Sequence, residues 1–120
     1  MDIRALAKEQ ESYIIESRRW LHAHPELGTQ ETETTRFITD QLDSMGIPVQ
    51  TFDSITGCVA TIQGGKPGKT VMLRADIDAL PIQETSGKSY CSVTPGVMHA
   101  CGHDCHTAML LGAARVLQDH

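Results

Sequence analysis

The stretch Met98-His99-Ala100-Cys101-Gly102-His103-Asp104-Cys105-His106 decides how the chain is read. Its nine residues hold three imidazoles, two thiols and one carboxylate, and an apolar run over residues 108–114 follows almost at once. Thiolate and imidazole suit a divalent transition metal. The apolar run predicts a helix from just after Asp104 toward Gln118, whose N-terminal N–H groups and dipole stabilise a thiolate. The stretch reads as a metal site at the mouth of that helix. Because Met109, Leu110, Leu111, Ala113, Ala114, Val116 and Leu117 cover more than one side, the helix is expected to be well buried.

Upstream, residues 83–98 have Ser, Thr, Gly and Pro every few positions and read as a long loop, a kind often functional in a compact domain. Residues 70–75, Thr-Val-Met-Leu-Arg-Ala, are short and mostly apolar, as an interior strand is. Asp76 and Asp78 lie at its far end, where ligand chemistry gathers in α/β sheets. If the strand runs on through Asp78, both carboxylates point to one face. The same pair also reads as a solvated strand end or as turn caps.

The rest of the chain predicts the framework. Residues 3 to about 22 carry apolar rows at Leu6, Tyr13, Trp20 and at Ala7, Ile14, Leu21, which predict one amphipathic helix ending before Pro25. His22 and His24 read as packing against, or capping, its end. A second helix is expected from about Glu31, capped by Thr29, with Phe37, Ile38, Leu42 and Met45 inward. Gly46, Ile47 and Pro48 supply its stop. Residues 49–53 and 58–63 read as two strands joined by a turn. Residues 64–69 read as a loop, since their glycines and lysines lack the phosphate-loop pattern.

Composition narrows the function classes. A chain of 120 residues suits one small domain, and its net charge of -5, with ten scattered Lys and Arg, disfavours nucleic acid or an acidic membrane as partner. The opening residues contain no secretory apolar core, and no apolar run reaches the roughly 20 residues a membrane span needs. Four cysteines without a scaffold pattern complete the case for a cytoplasmic protein with free or metal-bound thiols.

Three stretches in order, residues 18–28 (RRWLHAHPELG), 73–81 (LRADIDALP) and 96–104 (GVMHACGHD), resemble the N-terminal signatures of the metal-dependent amidohydrolases. The branch resembled includes hippurate hydrolase, N-acyl-amino-acid amidohydrolase (aminoacylase-like) and indole-acetyl-amino-acid hydrolase. The resemblance implies an α/β fold, with residues 1–120 as the N-terminal part of a metallopeptidase-like catalytic domain. There a mixed sheet is flanked by helices, and a lid or dimerisation domain lies outside this chain. It implies two divalent ions, manganese or zinc, a small N-acyl amino acid as substrate, and a homodimer or other homo-oligomer. Carried over by position, Cys101 and His103 match two metal ligands, and Asp78 the aspartate that orients a metal-bound imidazole. Asp76 falls where other branches place a ligand histidine, and its role stays open. His99, Asp104 and His106 are candidates for hydrogen bonding or substrate contact.

Two departures from the family pattern stand out. Cys105 occupies the place of a usual glycine, where its side chain either crowds the site, adds a competing ligand or is harmless. The family supplies a downstream Glu-Glu pair, one of them the general base, and two further histidines, whereas after Cys105 this chain has only His106 and His120 as possible ligand imidazoles and only Asp119 as a carboxylate. The resemblance therefore predicts an N-terminal fragment with little or no hydrolysis of its own and a marginal fold. Two other classes compete. One is a non-catalytic module holding a single zinc on Cys101, His103, Cys105 and His106, although these ligands are closer together than zinc modules usually space them. The other is a thiol redox protein using Cys101 and Cys105, which lacks the C-x-x-C pattern.

Overall fold

A computed structural model describes residues 1–120. It contains helices α1 (Ile3–Glu9), α2 (Glu11–Ala23), α3 (Thr32–Ser44) and α4 (His103–Asp119), with strands β1 (Val49–Thr51) and β2 (Cys58–Ala60) between α3 and α4. The strands pair antiparallel with Val49 opposite Ala60 and Thr51 opposite Cys58, shorter than the expected segments but in the same places. No helix is long and apolar enough to cross a membrane.

The expected single first helix is two. Asp2 caps α1 by accepting from the Arg4 and Ala5 amides, and the run breaks at Gln10, whose N–H turns back to the Ala7 carbonyl at 3.1 Å. No Gly or Pro marks the break. Packing on α4 fixes the axis of α2, whereas α1 buries no residue, so nothing forces the two into line.

α2 and α4 cross closely. Leu21 from α2 and Ala108, Leu111 and Gly112 from α4 are all buried, and an ideal Cβ on Gly112 would lie 2.6 Å from the Ile14 Cγ1 and Cδ1 atoms. Trp20 joins α2 to α3 by stacking on Phe37 with ring centroids 4.2 Å apart and planes 6° from parallel. The main apolar cluster is Ile38, Leu42, Ile47 and Leu111, flanked by Val49, Cys58, Ile62 and Ile77. It sits where α3, α4 and the β1–β2 hairpin meet.

α3 ends as its sequence implies. Gly46 takes φ +75°, the Ile47 N–H reaches back to the Leu42 carbonyl at 3.1 Å, and the Ile47 side chain is buried. Its start differs. Thr29 has φ +70° and does not cap; Glu26 does, its carboxylate accepting from the Glu33 and Thr34 amides and from the Thr34 hydroxyl. A carboxylate reaching across from the preceding turn meets the positive end of the helix dipole and displaces the local cap.

Two further expectations are corrected. Residues 70–75 form no strand: their amides and carbonyls pair with no neighbouring strand, and Val71 and Met72 are 78% and 85% exposed. A sheet ladder needs a second strand, and residues 70–75 make no backbone hydrogen bonds to one. α4 is buried on one side only, since Met109 and Leu117 are each more than half exposed. The apolar pattern is there, but these 120 residues cover only the face turned to α2 and α3.

Adding a methyl at Gly112 therefore tests the α2–α4 contact. Gly112→Ala is expected to cost about 1–3 kcal/mol in overpacking, offset by about 1 kcal/mol of better helix propensity. Urea unfolding of the chain should show a lower midpoint. Combining it with Ile14→Ala, which removes the clashing atoms, should cost less than the two single changes added together; strict additivity would show that the helices do not touch there.

Candidate metal centre

Residues 78–80 form no long element, yet they are held on both edges. The Ala79 N–H donates to the Glu26 carbonyl at 2.8 Å, and Leu80 exchanges two backbone bonds with Met98 at 2.9 and 3.0 Å. Thr107, on the first turns of α4, donates its hydroxyl to the Asp76 carbonyl at 3.1 Å. The end of the 70–80 segment is thus tied to the start of α4. Gly102 begins that helix with φ +113°, a left-handed conformation that glycine adopts without strain.

His103 is the first residue of α4. Its Nδ1 lies 2.9 Å from Asp78 Oδ1 and 3.1 Å from the Asp78 carbonyl oxygen. Both are acceptors, so Nδ1 carries a proton, and the neutral ring has its lone pair on Nε2. This is how a carboxylate prepares an imidazole as a metal ligand. Cys101, two residues earlier, is a free and exposed thiol.

The other expected site residues go different ways. Asp76 pairs with Arg74 in a largely exposed ion pair and does not join Asp78. His106 is exposed, with its ring 6.0 Å from that of His103. His99 is buried, and neither ring nitrogen meets a hydrogen-bond partner in the protein. Burial is the main reason its pKa lies below the usual histidine value, against the opposing pull of Asp104. Cys105 is half-buried. No group of three or more His, Cys, Asp or Glu side chains converges as a metal cage, so the four-ligand zinc module finds no support in the geometry.

Asp104 belongs to a network that the sequence did not reveal. Its carboxylate is 1% exposed and accepts from Arg18 Nε at 2.9 Å, His22 Nδ1 at 2.7 Å and the Cys105 amide at 2.9 Å. On the other side of His22, Nε2 lies 3.0 and 3.1 Å from the two oxygens of Glu84. Glu84 also accepts from the Ser86 hydroxyl and the Ser92 amide. Burial alone would raise both carboxyl groups. For Asp104, His22 and Arg18 outweigh burial and lower it; for Glu84, Ser86, Ser92 and His22 bring it down to about 2. His24 does pack and cap, as its position suggested, stacking on Trp20 with its Nδ1 2.7 Å from the Trp20 carbonyl. The one available signal for the network was the Arg18/His22 pair, four residues apart on the face that also carries Leu21.

The fold and this site define a class: an α/β framework presenting a thiol and a carboxylate-backed imidazole at one helix N-terminus. Residues 72–120 match peptidase family M20/M25/M40. The chain is 48% identical over 115 residues to an N-acyl-L-amino acid amidohydrolase of Geobacillus stearothermophilus, covering 96% of this chain and 31% of that protein. It is 50% identical over 111 residues to thermostable carboxypeptidase 2 of Saccharolobus solfataricus, 92% of this chain and 28% of the relative. It superposes with a TM-score of 0.85 and 42% identity on the YXEP protein of Bacillus subtilis, a dinuclear metal binding peptidase of family M20, over 98% of this chain and 32% of that structure. The chain is similar to peptidase family M20/M25/M40 over residues 72–120 and spans less than a third of the length of these relatives.

The acid limb of stability follows from Glu84. Its carboxyl falls from an ordinary 4.5 to about 2 in the folded chain, so its stabilising effect is complete above the ordinary value and disappears as pH falls toward the folded one. Glu84→Gln should therefore be less stable than the unsubstituted chain near neutrality, with the gap closing between about pH 4.5 and about pH 2. Urea unfolding at several pH values checks this, and a gap independent of pH contradicts it.

Proposed function

We propose that this chain supplies part of the divalent-metal centre of an amide-bond hydrolase that cleaves N-acyl amino acids of the acetyl or benzoyl type. The observation that carries the reading is the hydrogen bond from His103 Nδ1 to Asp78, which leaves Nε2 as a ready ligand. The donor chemistry fits. Cys101 offers sulfur, His103 offers nitrogen, and the unpartnered ring of His99 adds a polar group close in sequence. The two-ion site of the YXEP protein supports a pair of ions, for which thiolate and imidazole favour zinc and the family resemblance also suggests manganese.

Divalent ions held there supply Lewis acidity, polarising an amide carbonyl and making water a better nucleophile. Asp78 keeps the proton on Nδ1 of His103 and so aims the other nitrogen. Cys101 would hold a metal ion as the thiolate, next to the helix N-terminus. Glu84 is poorly suited to general-base work, because it is held at about 2 and engaged by His22, Ser86 and Ser92. In this reading the base comes from outside residues 1–120.

The names of the relatives suggest the substrate class. An N-acyl amino acid and a peptide cut by a carboxypeptidase share an amide whose nitrogen belongs to an amino acid with a free carboxylate. With four free thiols, the reducing cytoplasm is the compartment proposed.

Zinc titration calorimetry of the chain tests the ligand assignment. Cys101→Ser and His103→Ala should abolish binding, Cys105→Ser should retain it, and Asp78→Asn should weaken it about 10- to 100-fold. Loss of binding in Cys105→Ser would instead favour a closed zinc module. The chain alone should turn over N-acetyl and N-benzoyl amino acids slowly or not at all, since a general base is worth about 10²- to 10⁴-fold; turnover at the rate of a full-length relative would refute the division of the site.

A further inference from the structure

The ring of His22 is buried between two carboxylates. Its side chain is 6% exposed, and those of Asp104 and Glu84 are 1% and 3% exposed. Each ring nitrogen faces a carboxylate: Nδ1 is 2.7 Å from Asp104 Oδ2, and Nε2 is 3.0 Å from Glu84 Oε2. Ionised carboxylates only accept hydrogen bonds. A neutral ring would set one lone pair against a carboxylate oxygen at hydrogen-bond distance. Arg18 Nη2 also approaches Nδ1, but at 3.3 Å, longer than the contact to Asp104. With both nitrogens protonated the enclosed charges balance, Arg18 and His22 against Asp104 and Glu84. Buried charges persist when they are paired and hydrogen-bonded in this way.

The ring joins three pieces of chain. It stands on α2; Asp104 lies in the first turn of α4, next to His103; and Glu84 anchors the loop through Ser86 and the Ser92 amide. The remaining groups around it are Arg18, one turn earlier on α2, Tyr90, edge-on at 5.9 Å, and His99, in the segment before α4, whose pKa burial and then His22 lower.

We infer that His22 is a positioning residue of the metal centre: a doubly protonated ring that binds Asp104 and Glu84 together and so fixes the turn that presents His103. The inference rests on the functional reading above. It adds a residue from α2 that makes no contact with the proposed ligands and acts through Asp104.

Nitrogen-15 NMR of the histidine-labelled chain, with His22→Gln as the assignment control, reads the ring directly. Both His22 nitrogens are expected to be protonated at about pH 7, whereas a neutral single-tautomer pattern overturns the inference. Cobalt(II) titration reads the positioning. Folded His22→Gln should bind cobalt about tenfold more weakly than the unsubstituted chain and with an altered visible spectrum; equal affinity and an identical spectrum overturn the role. If His22→Gln does not fold, Glu84→Ala, which removes one of the two anchors, is expected to weaken cobalt binding likewise, and unchanged binding is again fatal. Failure of the unsubstituted chain to bind cobalt defeats the functional reading and the positioning role together, while the NMR result still reports whether the ring is charged.

Discussion

The hydrogen bond between Asp78 and His103 is the constraint on which the site depends. It joins a segment with almost no secondary structure to the first residue of the longest helix, across 25 positions of sequence. Asp78 is placed because Ala79 and Leu80 are bonded to Glu26 and Met98, and His103 because Gly102 turns the chain into α4. The chemistry of the imidazole, which nitrogen has the proton and which the lone pair, is therefore set by tertiary contacts.

Apolar burial does only part of the holding. The buried apolar residues are few and divided between the α2–α4 contact and the cluster under the hairpin, while Val71, Met72, Leu73, Met109 and Leu117 remain exposed. A domain of this length with so small a core is expected to be marginal. The Arg18–Asp104–His22–Glu84 network links the α2–α4 contact to the loop that carries Glu84. A buried ion network is weak in net stabilisation, but removing one member leaves a charge unpaired, at a cost of about 3–5 kcal/mol. Such a network specifies a geometry more than it stabilises a fold.

What was legible in the sequence was what local physics decides. Gly46-Ile47-Pro48 gave the end of α3, the 49–53 and 58–63 segments gave a paired hairpin, and the apolar run after His106 gave α4. Asp78 with His103 was legible through the family resemblance alone, because spacing left the aspartate equally suited to a turn. The failures were non-local. Residues 70–75 have a strand's composition, but a strand exists only with a partner. Thr29 is a good cap residue displaced by Glu26 from the preceding turn. The break at Gln10 has no residue that announces it. His22 sits at a helix end where packing or capping is the ordinary expectation, and only the arrival of Asp104 and Glu84 from distances of 82 and 62 residues gives it another role.

X-ray absorption spectroscopy of the zinc-loaded chain is the most direct test of a site built on one thiol and one carboxylate-backed imidazole. The account predicts a single sulfur at about 2.3 Å and at least one imidazole nitrogen at about 2.0–2.1 Å, with lighter oxygen donors completing the shell. A shell of two sulfurs and two nitrogens would contradict it, since that coordination belongs to a closed structural zinc module and leaves no opening for hydrolysis.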